Sequence, residues 1–180
     1  MPEPTDKKHE SDKEIIWAQK LAEVDRIVDK LGKPVDGKIK EPITAFLVNG
    51  FVTNGSCEGH IAEVGEKKHG LPHPWVDVCA PEPEGWKEDE EKKKEWTLEN
   101  LKQQKRMIDL LAQFYESRKT PFDARLSFSK VGRYGNFRVQ SFGAETMQLL
   151  SPEEKIAKQE LYRKEMDDFA QFLKEKFLSE

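Results

Sequence analysis

The densest set of reactive side chains in this 180-residue chain is Thr53-Asn54-Gly55-Ser56-Cys57-Glu58-Gly59-His60. A hydroxyl, a thiol, a carboxylate and an imidazole fall within five positions, between glycines that permit positive φ and close backbone approach to a ligand. Three chemistries fit these residue types. In the first, Cys57 is a thiolate nucleophile, His60 its acid or base, and Asp77 the group that orients the imidazole. In the second, Cys57-x-x-His60 joins His69 or His73 and Cys79 in a zinc-compatible set of two sulfurs and two nitrogens. In the third, nothing covalent happens. Thr53, Ser56, Glu58, Gly59 and His60 hold a small polar or anionic molecule, aided by loop amides arranged as an anion nest. Trp75 then offers a stacking face, and Arg133 and Arg138 close on a phosphate or carboxylate. The plain alternative is a tight turn with a small buried Cys57 and a His60 bonded to a carbonyl.

These residues need a scaffold, and hydrophobic periodicity supplies its outline. Ser11-Asp12-Lys13-Glu14 has capping-box spacing, and Trp17, Leu21, Val24, Val28 and Leu31 follow at helical steps, with Gly32 and Pro34 as the stop. Residues 1–10 are expected to be a disordered tail and 11–180 a single domain. Asp36 can cap a second helix through Ile39, Ile43, Phe46 and Leu47, in which Pro42 forces either a kink or a start near Glu41. Phe51-Val52-Thr53 predicts a short strand ending at the Asn54-Gly55 turn signal. Trp75 to Cys79 alternates as a strand, with Val76 and Val78 on one side and Trp75, Asp77 and Cys79 on the other. The loop that carries His69 and His73 is long enough to act as a flap.

Residues 81–95 are a charged loop or frayed helix start. Thr97 caps a third helix whose stripe is Leu101, Ile108, Leu111 and Tyr115, flanked by Met107, Leu110 and Phe114. Ala124–Val131 and Phe137–Phe142 form a hairpin. Ser151-Pro152-Glu153-Glu154 opens a long helix over 151–178. Its aromatic side must pack on the domain or on a second copy. The order α, αββ, αββ, α predicts a two-layer α+β fold with about four mostly antiparallel strands packed by helices.

Composition narrows the partners. Hydrophobic and charged residues each make up 36% of the chain, and the net charge is −4. That balance gives no case for nucleic acid or an anionic membrane as a general partner. No run reaches the roughly 18 apolar residues of a membrane span. The polar N-terminus lacks a secretory signal, and two cysteines make no disulfide framework, so reduced thiols in the cytoplasm are expected. The mixed charge runs Lys87–Glu95 and Lys155–Lys164 fit solvated helix faces.

The pattern Thr53-x-x-Ser56-Cys57-Glu58-Gly59-His60, preceded by Pro34-Val35-Asp36 and Gly50-Phe51 and followed by Pro74-Trp75-Val76, resembles an uncharacterised family of small bacterial proteins. The likeness covers about residues 20–80 and implies no particular activity. At the level of one loop the chain is also similar to tRNA wybutosine-synthesising methyltransferase-like proteins, where Thr-x-Ser-Ser-Cys-Ser-Gly-Arg ends a strand. Ser56-Cys57 and Gly59 match that stretch, while Glu58 replaces a serine and His60 the arginine. Two function classes follow from the residues. One is an enzyme acting on a small polar or nucleotide-like molecule. The other is a binding or structural metal domain, zinc being the candidate cofactor, that works as a homodimer through the last helix.

Overall fold

The computed structural model describes residues 5–29, 32–62 and 70–180, with side chains from Asp12 onward. Helix α1 spans Thr5–Asp25. It therefore starts inside the expected tail and ends well before Gly32, and Ser11 lies in its interior. The early end has a local cause. The β-branched pair Ile27-Val28 leaves the helix for an antiparallel bridge between Val28 and Pro34. Asp29 closes the intervening turn, its amide bonded to the Lys33 carbonyl and its carboxylate to the Lys33 amide, both at 2.8 Å.

A 3-10 turn at Gly37–Ile39 leads into α2, Lys40–Val48. Pro42 falls in the first turn, where no intrahelical acceptor exists for an N–H, so it costs no hydrogen bond. Strands β1 (Thr53–Cys57) and β2 (Trp75–Val78) follow, then helix α3 (Glu90–Tyr115). Asp89 caps α3 through the amides of Glu91 and Lys92. Thr97 is not the cap. It lies inside the helix, with its hydroxyl on the Lys93 carbonyl. The hairpin β3 (Leu126–Lys130) and β4 (Phe137–Ser141) precedes α4, Pro152–Ser179, which opens with a complete Ser151/Glu154 capping box.

The chain is α+β, with one four-stranded antiparallel sheet in the order β1-β2-β4-β3. Its inner face carries Val76, Val78, Phe137 and Val139, all fully buried against Phe46, Met107 and Phe169 from the helices. The expected face of α3 holds at Met107, Leu110, Leu111 and Phe114 and shifts in the N-terminal half. Trp96, Asn100, Met107, Leu110, Leu111 and Phe114 are buried, whereas Leu101 and Ile108 are exposed. Tyr162, Met166, Phe169 and Leu173 of α4 are buried within the chain, where α4 packs on α1 and α2. That packing removes the reason for expecting a dimer through α4. Among the described residues, no helix is long and apolar enough to cross a membrane.

Candidate functional site

Local backbone explains how the reactive stretch is held. Asn54-Gly55 is not a turn: β1 runs on through Cys57, with a register shift between Thr53 and Gly55. A Cβ on Gly55 would lie 3.3 Å from the Trp75 ring and 3.4 Å from the Asp77 carboxylate, so glycine makes room for both neighbours. The turn comes later, at Gly59 (φ +89°), where a Cβ would sit 2.8 Å from the His73 backbone.

Two carboxylates exchange expected duties around this turn. Asp36 occupies the N-cap position of the 3-10 turn, yet its side chain makes no capping bond. Glu58 reaches across instead and accepts the Lys38 amide at 2.8 Å. Asp36 Oδ2 is thereby released to accept the Glu58 amide at 3.2 Å and to meet His60 Nε2 at 3.0 Å. Arg163, from α4, fixes the other side. Its Nε donates to the Glu58 carbonyl at 2.8 Å and its Nη2 to the Gly59 carbonyl at 2.7 Å. Glu58 and Gly59 thus build the loop rather than contact a ligand.

Asp36, Cys57 and His60 are the result of this arrangement. Their donor atoms all lie within 4.8 Å of one another, the one such group of His, Cys, Asp and Glu among the described residues. Cys57 is 5% exposed, while the side chains of His60 and Asp36 are 39% and 32% exposed. The Gly59 amide donates to Cys57 Sγ at 3.3 Å. Burial pushes the Cys57 thiol up, the nearby Asp36 and Glu58 carboxylates add to this, and hydrogen bonds from the Gly59 and Leu71 backbones oppose it. Gly70 (φ +75°) closes over the group, and a Cβ there would lie 3.2 Å from Cys57 Sγ and 3.3 Å from the His60 ring.

The remaining sequence candidates divide. Thr53, Ser56 and Trp75 line a groove of about 470 Å³ beside the edge strand β1, with Asp36 in its wall. His60 instead borders a smaller hollow of about 210 Å³ with Gly70, Leu71, Gln148 and Lys155. Asp77 does not orient His60. It is taken up by Arg138, Nε to Oδ1 at 2.6 Å and Nη2 to Oδ2 at 2.9 Å. Arg138 also lies 3.7 Å over the Trp75 ring, so it backs that ring on the outer sheet face rather than clamping an anion. Arg133 is exposed in the hairpin loop. That loop leaves β4 at Phe137, opposite Val78, whereas Cys57 pairs with Trp75 opposite Gln140. Three residues of strand separate the two ends, roughly 10 Å.

The four-ligand zinc set does not assemble. Cys79 lies just past the end of β2, four residues beyond Trp75 and about 13 Å from the Cys57 end at strand spacing. It bonds the Ala80 carbonyl and packs with Trp96. His73 is buried with Nε2 3.3 Å from Gln140 Oε1. His69 lies outside the described residues. Asp36 takes the place these residues were expected to fill. It escaped sequence reasoning because an acid before a helix is ordinarily a cap. Arg163 was hidden in a mixed charge run that otherwise fits a solvated face. Comparison with protein-family models, curated proteins and solved structures returned no match.

Proposed function

We propose that the chain binds a small polar molecule of nucleoside or nucleotide size in the groove along β1, with a hydrogen-bond-donating end of that ligand at Asp36. The observation that carries this reading is the position of Asp36, which both lines the groove and holds His60 at 3.0 Å. The groove's volume of about 470 Å³ suits such a ligand. Its lining combines the hydroxyls of Thr53 and Ser56 with the Trp75 ring and the apolar Ile27, Val28 and Val35. That mixture accepts a flat, partly apolar body bearing hydroxyl groups.

Geometry argues against Cys57 as the attacking group. Its sulfur is buried and accepts the Gly59 amide, and His60 Nε2 meets Asp36 rather than the sulfur. Binding, with Asp36 as the polar contact, is the simpler use of the site.

Saturation-transfer NMR with adenosine, guanosine, cytidine, uridine and their monophosphates, on chelator-treated protein, tests the reading. At least one is expected to show transfer, with Ser56→Ala and Trp75→Leu weakening it about tenfold, a loss typical of one removed polar or stacking contact. Absence of transfer from the whole panel, or transfer indifferent to both substitutions, rejects the groove as the ligand site.

A further inference from the structure

We infer that Asp36, Cys57 and His60 form a three-ligand site for a divalent transition metal, zinc in type, with its fourth position open toward the groove. The inference rests on the groove reading for its role and on the geometry of three side chains for its existence.

Donor chemistry comes first. A soft thiolate and a borderline imidazole beside one carboxylate select zinc-like ions over magnesium or calcium. Three protein ligands with one free position is the arrangement of zinc sites that bind or activate a further molecule, whereas structural sites are closed by four. Ligand atoms around a tetrahedral zinc stand about 3.3–3.6 Å apart, given the usual metal–ligand lengths. Here Asp36 Oδ2 and His60 Nε2 are 3.0 Å apart, and all three donors lie within 4.8 Å.

The surroundings of the sulfur give a second, independent argument. The backbone amide of Gly59 donates to Cys57 Sγ at 3.3 Å. A neutral thiol is a weak acceptor and gains little from such a donor, whereas a metal-bound thiolate is stabilised by it. Asp36 is itself held by the Glu58 amide, and Arg163 holds the Glu58 and Gly59 carbonyls, so the supporting contacts that orient metal ligands are already in place. Binding displaces one proton from Cys57 to solvent. The resulting thiolate and carboxylate neutralise a dication. The exposed edges of Asp36 and His60 leave an approach for the ion and, once it is bound, for an oxygen of the groove's occupant.

Cobalt(II) titration of the full, reduced, chelator-treated chain tests this directly. One equivalent is expected to produce thiolate-to-cobalt absorption together with tetrahedral visible bands, and zinc should abolish both. Cys57→Ser should lose the thiolate band. Asp36→Asn and His60→Gln should weaken cobalt binding by at least about tenfold, each with an unchanged far-ultraviolet circular dichroism spectrum. Because wild type alone must show the bands, the test does not depend on any variant folding. No thiolate band in wild type, a band retained in Cys57→Ser, or wild-type affinity in both other variants overturns the site. Nucleoside transfer that persists when cobalt binding fails leaves the groove standing without its metal. Cobalt binding without nucleoside transfer leaves the metal and removes the groove.

Discussion

Arg163 shows how a single side chain can set the site without touching a ligand. Its two parallel hydrogen bonds end on successive carbonyls, those of Glu58 and Gly59, at 2.8 and 2.7 Å. Both carbonyls would otherwise face a partly buried helix surface without donors. A guanidinium spans the pair because its donors are fixed in one plane, whereas an ammonium is a point that satisfies one carbonyl at a time. Arg163→Lys therefore keeps the charge and loses the fork. The expected result is a loss of about 1–2 kcal/mol in urea denaturation, typical of one broken charge-assisted bond. Cobalt affinity should fall severalfold, nearly as far as in Arg163→Ala. A lysine variant with wild-type stability and affinity would show that charge alone matters there. Nothing in the sequence marks this arginine. Its partners lie about a hundred positions away, and charged residues close to it in the chain, Glu160 and Lys164, do face water. Cys57 and His60 are legible because their types are rare and adjacent. Asp36 and Arg163 are not, because common residues acquire a role only when the fold brings them to a rare one.

Elements were legible where one constraint dominated and less so where two competed. The Ser151 cap and the alternation of Trp75 to Cys79 each had a single consistent reading; the cap holds, and the strand holds through Val78. Helix α3 had two. In its N-terminal half Leu101 marked one stripe, but the buried face there is the one that carries Trp96 and Asn100, because those side chains tie α3 to both halves of the sheet. Asn100 is fully buried, with Oδ1 accepting the Ala80 amide at 2.6 Å just beyond β2. Its Nδ2 donates to the Tyr134 carbonyl at 2.9 Å, in the β3–β4 loop. Tyr134 has φ of 65° and stacks on Trp96, so the loop conformation leans on this one amide. Asn100→Ala strands the buried Ala80 N–H and the half-buried Tyr134 C=O at once. We expect a destabilisation of roughly 2–4 kcal/mol, about one to two for each unsatisfied group. Faster proteolysis within residues 131–136 should accompany it. Stability unchanged by the substitution would mean that water replaces both bonds, and that the loop holds its shape through the Trp86, Trp96 and Tyr134 rings alone.

At the scale of the molecule, the sheet's outer face gives the fold a particular response to acid. His73 precedes β2 and is 5% exposed. Its Nε2 meets Gln140, its Nδ1 is buried with no hydrogen-bond partner, and Arg138 stands nearby as a positive charge. Burial above all holds this imidazole below its ordinary value of 6.5, at about 4, with Arg138 adding to the effect and Gln140 opposing it. The folded chain therefore keeps His73 neutral through a range in which the unfolded chain protonates it. The unfolded state binds more protons there, so stability must fall as pH drops from 6.5 toward 4, and it is unaffected by this group above 6.5. Between pH 7.5 and 4.5 the loss from this one side chain should be about 2–3 kcal/mol. Asp123, held below the usual carboxylate range by its hydrogen bond from Lys158, adds its own dependence at lower pH. The variant comparison removes that background. Urea denaturation at both pH values should show His73→Gln losing about 2–3 kcal/mol less than wild type over the interval, whatever its stability at pH 7.5. Equal losses in the two proteins would mean that His73 finds a partner or water for its second nitrogen and titrates normally. In that case the outer face of the sheet would be open to solvent at His73, behind the loop that carries Cys57 and His60.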